Sequence, residues 1–324
     1  MKTVFLYAGQ GSQKAGMGKD IYERFPTYRQ VIDSIQLDID VKTLMHEGEL
    51  EELSKTENTQ PCMAAFAAGV TEVLKENGIT PDAACGLSLG EYGALHVADV
   101  ISAKDYVEIT AFRGNAMAEA AKGKECSMSA TLGMESSDVE AACAKVNKQL
   151  EEEHAQGFVM LVNYNCPGQY VICGDENAVA KAEDVLKEMG MKRSIRLNVS
   201  GPFHTRYMTP AAEKLAKKLA EVEFHSPKLP IVLNVTGDFY DGVSDLKENL
   251  CAQIQRGVHF EESIKRLLEE GASTFIEIGP GNTLSGFVKK TAKACGKEVE
   301  IYTIDSAENL EKVLASKEEL AHGK

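Results

Sequence analysis

Residues 86–90 read Gly-Leu-Ser-Leu-Gly, a serine between two glycines at the spacing of a nucleophile elbow. The apolar residues 83–85 before it predict a buried strand, and residues 91–97 after it predict a helix rich in small side chains. Glycines let the two elements pack closely, and the tight turn projects the serine oxygen outward. Gly-x-Ser-x-Gly also occurs in ordinary turns, but the strand and helix context favours Ser88 as a nucleophile.

Short apolar runs separated by helix-length segments predict the architecture of most of the chain. These runs lie at residues 4–7, 83–85, 231–235, 274–278 and 300–304. Such alternation is typical of a mainly parallel sheet with helices on both faces. We therefore predict a doubly wound α/β large domain formed by residues 1–124 and 199–324.

The intervening stretch, residues 125–198, has a different pattern. Its predicted elements are a strand at 127–133, a helix at 136–150, strands at 159–164 and 169–173, a helix at 177–189 and a strand at 193–198. Strand-helix-strand-strand-helix-strand is the ferredoxin-like order. We therefore predict an inserted ferredoxin-like small domain.

Composition excludes several classes of function. A net charge of −14 argues against nucleic acid as a partner, because phosphate binding needs a basic face. The sequence contains no apolar run of the ~18 residues that span a membrane, and its apolar N-terminal stretch is too short for a signal peptide. The eight cysteines are scattered and the histidines lack ligand spacing, so we expect reduced thiols, a cytoplasmic location and no metal.

A serine hydroxyl needs a positioned base before it becomes a good nucleophile. Among the seven histidines, His204 is the strongest candidate, because it ends the sequence Gly-Pro-Phe-His at 201–204. This loop leaves the small domain and enters a helix predicted near residue 209, and sites tend to form at such domain seams. A loop histidine is usually only a surface residue, but beside an elbow we interpret His204 as the base.

A series of short motifs resembles the malonyl-CoA:acyl-carrier-protein transacylase family. The motifs occur at residues 9–13, 86–91, 112–115, 163–169, 201–204 and 278–281. They follow the family's order and cover essentially the whole chain. The resemblance implies an α/β-hydrolase-like core with a ferredoxin-like insert, malonyl-CoA and acyl carrier protein as substrates, and no cofactor besides the CoA thioester.

The resemblance also implies a ping-pong mechanism with a covalent intermediate. Ser88 would attack the malonyl thioester, and His204 would take the serine proton and return it to the departing sulfur. The backbone N–H groups of Gln10 and Leu89 would hold the oxyanion. A backbone carbonyl orients the histidine in this family, and the matching position here is Gln253.

Substrate selection is implied at Arg113, which lies in a helix predicted over residues 103–121. A guanidinium fork binds a free carboxylate bidentately, and this carboxylate distinguishes malonyl from acetyl. The resemblance places Met117, Asn163 and Phe203 in the same pocket. The bulk of Phe203 would leave little space for a 2-methyl branch.

One basic stretch stands out on this acidic chain. Lys289 and Lys290 match family positions that face the carrier protein, although the polar side of a helix is the simpler interpretation.

The chain departs from the family at Leu87, where histidine is common, and at Ala8, where proline is frequent. Neither change removes a group that the mechanism requires.

Two alternative functions remain open. A serine thioesterase or hydrolase of the α/β-hydrolase type would share the elbow and pass the acyl group to water. A non-enzymatic module that binds carrier protein would not form an acyl-enzyme. The sequence also leaves open whether the chain serves fatty-acid or polyketide synthesis.

Overall fold

Two four-stranded sheets organise the chain in the computed structural model, which describes residues 2–197 and 201–318. The strands are β1 (Thr3–Tyr7), β2 (Ala83–Gly86), β3 (Cys126–Leu132), β4 (Val159–Cys166), β5 (Gln169–Asp175), β6 (Arg193–Arg196), β7 (Thr274–Ile278) and β8 (Glu300–Ile304). The helices are α1 (Lys19–Arg24), α2 (Pro26–Ser34), α3 (Val41–Glu47), α4 (Leu50–Leu53), α5 (Thr56–Glu76), α6 (Glu91–Val97), α7 (Ala103–Ala121), α8 (Ser136–Glu152), α9 (Glu176–Glu188), α10 (Thr209–Ala220), α11 (Leu246–Gln253), α12 (Phe260–Glu269), α13 (Thr283–Ala294) and α14 (Ala307–Ala315).

The first sheet is parallel, with the strand order β2-β1-β7-β8. Its central strand β1 is buried along its whole length, as expected for a continuous apolar run between two layers. Tyr7 at the end of β1 pairs with Gly86 of β2 and with Ile278 of β7. The carboxyl ends of three strands therefore meet at one edge, which is where ligands bind in open parallel sheets.

The predicted strand at 231–235 is wrong, because this segment contacts the sheet at one point only. Ile231 forms a single parallel bridge with Ala84, and the chain then turns back so that Val232 pairs with Phe239. Gly237, with a φ of 67°, supplies the left-handed residue of that turn. The segment therefore runs against the edge strand β2 without extending the sheet.

The second sheet is antiparallel, with the order β4-β5-β3-β6. Its elements follow the predicted order strand, helix, strand, strand, helix, strand. Apolar side chains of α8 and α9 form one buried cluster with β4 and β5. The predicted last strand is shorter than expected and ends at Arg196, and residue 198 lies outside the described residues.

Helices α5 and α7 pack closely and bring polar side chains to the edge of the parallel sheet. Helix α7 spans the predicted residues 103–121. A Cβ atom at Gly114 would lie 2.8 Å from the carbonyl oxygen of Thr56, so only glycine permits this approach. The contact places Arg113 of α7 beside Gln60 of α5.

Most of the cysteine side chains are buried. All eight cysteines are free, and burial raises the pKa of Cys62 and Cys85 to about 12.

Within residues 2–197 and 201–318, no helix is long and apolar enough to cross a membrane.

Candidate active site

The elbow is built by a tight turn between β2 and α6. Ser88 adopts a φ of 53°, in the left-handed region that non-glycine residues rarely occupy, and it begins a short 3₁₀ turn. A Cβ atom at Gly86 or at Gly90 would lie 2.0 Å from backbone atoms, so both positions require glycine. The half-buried Ser88 side chain is thereby held at the carboxyl edge of the parallel sheet.

Ser88 and His204 form a hydrogen-bonded pair, which we call the Ser88–His204 pair. Ser88 Oγ lies 2.9 Å from His204 Nε2, and His204 Nδ1 lies 2.8 Å from the backbone oxygen of Gln253. A carbonyl oxygen can only accept, so Nδ1 carries the proton and Nε2 is free to accept from the serine hydroxyl. These distances lie within the range required for proton transfer.

The surroundings of His204 keep its imidazole neutral. Burial, and next the positive charge of Arg113, lower the pKa of His204 to about 4, against the raising effect of hydrogen bonds to the backbone of Gln253 and Arg256. His204 is 4% exposed and also has a left-handed backbone, with a φ of 61°. Above pH 4 it is therefore available as a base.

Arg113 presents a buried guanidinium to the same serine. It is 1% exposed and donates from Nη1 to Gln60 Oε1 at 2.8 Å. Its Nη2 donates to Gln253 Oε1 at 2.9 Å and to Ser88 Oγ at 3.2 Å. Burial lowers the pKa of Arg113, yet a guanidinium stays charged in proteins. A positive charge therefore stands beside the serine oxygen, with its fork fixed by two amides.

Gln10 lies in the loop that packs against the elbow, and Leu89 lies within the elbow itself. The loop after β1 packs so closely on the elbow that a Cβ atom at Gly9 would lie 2.6 Å from the Leu87 carbonyl oxygen. Gln10 donates from Nε2 to Thr56 Oγ1 at 3.0 Å. Leu89 is buried and directly follows the serine in the turn. The geometry brings both backbone segments to the same edge.

The predicted pocket residues are brought together only in part. Met117 is 2% exposed, and its sulfur accepts from Gln60 Nε2 at 3.5 Å, next to the guanidinium. Phe203 is buried and precedes His204. Asn163 lies in β4, where it forms an isolated bridge with Val258. Within the described part of the chain its side chain has no hydrogen bond to the Ser88–His204 pair.

Lys289 and Lys290 lie in α13 and are both exposed. Lys290 Nζ lies 3.4 Å from Gln169 Oε1 at the start of β5. Helix α13 therefore contacts the antiparallel sheet through Lys290 and exposes both lysines to solvent.

Three polar residues that the sequence analysis gave no role surround the pair. Gln60 orients Arg113, as described above. Asn234 accepts from the Ser88 backbone N–H at 2.6 Å and donates to the Gly86 carbonyl at 2.7 Å. Glu91 accepts from Gln253 Nε2 at 2.8 Å and from the Asn234 backbone N–H at 3.2 Å. The sequence signals were the place of Glu91 at the end of the motif 86–91 and the polarity of Asn234 after the apolar residues 231–233.

Two buried groups of the site have pKa shifts of opposite direction. Burial raises the pKa of Glu91 to about 7 from its ordinary 4.5, so its contribution to stability is full below pH 4.5 and is lost as pH rises through 7. The pKa of His204 falls from 6.5 to about 4, so its contribution is present above pH 6.5 and is lost as pH falls toward 4.

No group of three or more His, Cys, Asp or Glu side chains among residues 2–197 and 201–318 is placed to hold a metal ion. The polar groups that meet at the edge of the sheet are a hydroxyl, a neutral imidazole and a guanidinium, which are groups that acyl transfer can use.

Comparison with known proteins agrees with this geometry. Residues 4–319 match the acyl transferase domain family. The chain is 45% identical over 291 residues to the malonyl CoA-acyl carrier protein transacylase of Bacillus subtilis (strain 168), covering 89% of this chain and 90% of that protein. It is 33% identical over 311 residues to the enzyme of the same name from Staphylococcus aureus (strain MRSA252), covering 95% and 97%.

Solved structures give the same result. The malonyl CoA-acyl carrier protein transacylase from Clostridium perfringens superposes with a TM-score of 0.91 at 36% identity, over 99% of both chains. A malonyl-transacylase in complex with its type II PKS acyl-carrier protein superposes with a TM-score of 0.90 at 33% identity, over 98% of this chain and 100% of that chain. The chain thus belongs to the acyl transferase domain family and, within it, to the malonyl-CoA:acyl-carrier-protein transacylases, an acyltransferase family.

Proposed function

We propose that this chain transfers a malonyl group from malonyl-CoA to the phosphopantetheine thiol of an acyl carrier protein by a ping-pong mechanism. The observation that carries the proposal is the environment of one oxygen atom. Ser88 Oγ lies 2.9 Å from His204 Nε2 and 3.2 Å from Arg113 Nη2. A nucleophile that faces both a neutral base and a buried cation suits an acyl group that carries a carboxylate.

The first half-reaction acylates the serine. Ser88 Oγ attacks the thioester carbonyl carbon as its proton passes to His204 Nε2, and the backbone N–H groups of Gln10 and Leu89 stabilise the oxyanion. The carbon–sulfur bond then breaks, and the CoA thiolate takes the proton from His204. The Gln253 carbonyl, 2.8 Å from Nδ1, stabilises the transient imidazolium in the role that a carboxylate fills in other triads.

The second half-reaction reverses these steps with a different thiol. The phosphopantetheine sulfur of the carrier protein loses its proton to His204 and attacks the malonyl ester. The ester bond breaks, and the proton returns to Ser88 Oγ. One base therefore serves both halves of the cycle.

Selectivity and docking complete the proposal. The fixed guanidinium of Arg113 binds the malonyl carboxylate, and Met117, Asn163 and Phe203 line the pocket around it. Lys289 and Lys290 dock the carrier protein through their exposed charges. A similar solved structure is described as a carrier protein in complex with its malonyl-transacylase, which supports a carrier protein as the partner.

We propose an α/β-hydrolase-like core, residues 1–124 and 199–324, with a ferredoxin-like insert at 125–198. The strand order β4-β5-β3-β6 supports the insert. The boundary at 198/199 lies outside the described residues.

Initial-velocity kinetics with varied malonyl-CoA and carrier protein test this function. A covalent acyl-enzyme predicts parallel double-reciprocal lines, and Ser88→Ala should show no transfer. The hydrolase alternative is tested in the same assay without carrier protein, where we expect slow release of malonate. Intersecting lines, or fast malonate release with water as the acceptor, contradict the proposal.

A further inference from the structure

A buried carboxylate that the proposed reaction does not use lies directly behind the elbow. Glu91 is the first residue of α6 and is 1% exposed. Its Oε2 accepts from Gln253 Nε2 at 2.8 Å and from the Asn234 backbone N–H at 3.2 Å. Burial of a carboxylate is costly unless donors satisfy it, and the two groups that donate to Glu91 both belong to the site.

The Gln253 side chain is the first partner and links three parts of the site. Its amide nitrogen donates one hydrogen to Glu91 and another to the Ser88 carbonyl oxygen at 2.8 Å. Its amide oxygen accepts from Arg113 Nη2 at 2.9 Å, and its backbone oxygen holds His204. A carboxylate can only accept and a guanidinium can only donate, so a flipped amide would oppose acceptor to acceptor and donor to donor.

Asn234 is the second partner and holds the elbow backbone. Its side chain accepts from the Ser88 N–H at 2.6 Å and donates to the Gly86 carbonyl at 2.7 Å. The segment at 231–235 is not a strand: the Asn234 carbonyl oxygen accepts from the His259 backbone N–H at 2.8 Å, but the Asn234 N–H has no neighbouring strand to donate to in the described residues. The carboxylate of Glu91 supplies the acceptor that a neighbouring strand would otherwise provide.

Among the described residues, Arg113 is the charged group that acts on Glu91. Arg113 on α7 is positive, whereas burial keeps Cys85 on β2 and Tyr92 on α6 protonated by raising the pKa of both groups. Above pH 7, where Glu91 is ionised, the Gln253 amide therefore connects the negative carboxylate to the positive guanidinium.

We propose that Glu91 is a positioning residue that fixes the orientation of the Gln253 amide and the place of Asn234. Through these two residues, Glu91 maintains the relative positions of the Ser88–His204 pair and the Arg113 guanidinium. This inference deepens the proposed function and rests on it for the roles of those groups.

A double-mutant cycle tests whether Glu91 acts through Gln253. Methionine at either position keeps a similar volume with no donor and only a weakly accepting sulfur, and Gln253→Met retains the backbone carbonyl that holds His204. We expect Glu91→Met to lower the kcat of Ser88 acylation about tenfold or more with little change in KM, because it removes two hydrogen bonds to a charged group. In the Gln253→Met background the same change should cost about threefold or less.

Glu277 provides a matched control. It is also fully buried, and it accepts backbone N–H bonds from Leu284 at 3.0 Å and Ser285 at 2.7 Å, but it belongs to β7 and α13. Glu277→Met should lower stability and leave acylation by malonyl-CoA unchanged. An equal acylation loss in Glu277→Met, or a Glu91→Met loss as large in the Gln253→Met background as in the wild type, overturns the proposal.

A second variant covers the case in which Glu91→Met does not fold. Glu91→Gln keeps an acceptor oxygen for both partners, so we expect a loss of about threefold or less in the kcat of acylation. A larger loss that persists in the Gln253→Met background overturns the positioning role.

A small fluorophosphonate separates this inference from the proposed function. The reagent forms an Oγ–phosphorus bond at Ser88 and releases fluoride, so its rate reports on the Ser88–His204 pair without any malonyl group. If the cycle shows coupling with this reagent while malonyl-CoA gives no acyl-enzyme, the proposed function fails and the positioning role stands. If malonyl-CoA acylates Ser88 and the cycle is additive with both reagents, the positioning role fails and the function stands.

Discussion

Replacing Arg113 by alanine should remove the preference for malonyl over acetyl groups. The guanidinium is 1% exposed and is fixed by Gln60 at 2.8 Å and Gln253 at 2.9 Å, so a bound carboxylate meets a pre-oriented cation shielded from water. Hydrogen bonds to charged groups contribute about 1.5–3 kcal/mol, which corresponds to a roughly ten- to hundredfold loss for malonyl. The variant also leaves the side-chain oxygens of Gln60 and Gln253 without a donor. This loss affects the rates with both substrates equally, so it cancels in the malonyl-to-acetyl ratio.

The assay compares kcat/KM for malonyl-CoA and acetyl-CoA in the acylation of Ser88. Arg113→Lys should restore only part of the malonyl rate, because an ammonium group cannot reproduce the planar fork. Arg24→Ala, which removes a half-exposed arginine paired with Glu311, serves as the control and should leave both rates unchanged. A malonyl-to-acetyl ratio that Arg113→Ala does not alter refutes the carboxylate-binding role.

Three further predictions follow from the site. His204→Ala should slow both half-reactions by about 100-fold or more in single-turnover assays, because one base serves both, and a normal rate in either half contradicts that role. Reversal of Lys289 and Lys290 to glutamate should raise the KM for carrier protein by about three- to tenfold with unchanged acylation by malonyl-CoA, whereas equal losses in both halves indicate a structural role. Between pH 6.5 and 4.5 the contributions of His204 and Glu91 to the free energy of unfolding oppose each other. In urea unfolding, the stability of Glu91→Gln should therefore fall more steeply with falling pH than that of the wild type. The stability of His204→Ala should fall less steeply. The difference should reach at most ~1.4 kcal/mol per pH unit, and parallel pH curves contradict the assigned shifts.

Local patterns predicted most of the fold because they depend on neighbouring residues. The bounds of α7 and the order of elements around the second sheet were predicted from the sequence. The segment at 231–235 was misassigned because a short apolar run looks the same whether it extends a sheet or only touches it. Gly237, which turns the chain back, was the signal against a strand.

The site was harder to predict from the sequence because its contacts join distant parts of the chain. Ser88 and Asn234 are 146 positions apart, and Glu91 and Gln253 are 162 positions apart. Spacing within a motif cannot reveal such pairs. The position of Gln253 came from the family resemblance through its backbone carbonyl, whereas its side chain, which connects Arg113 to Glu91, was not anticipated.

The intact mass of the protein after mixing with malonyl-CoA tests the central claim most directly. We predict that the wild-type chain gains the mass of one malonyl group and that Ser88→Ala gains none. Subsequent addition of carrier protein bearing phosphopantetheine should remove this mass from the enzyme and add it to the carrier. A malonyl adduct that persists in Ser88→Ala, or a wild-type adduct that the carrier thiol cannot discharge, contradicts the account.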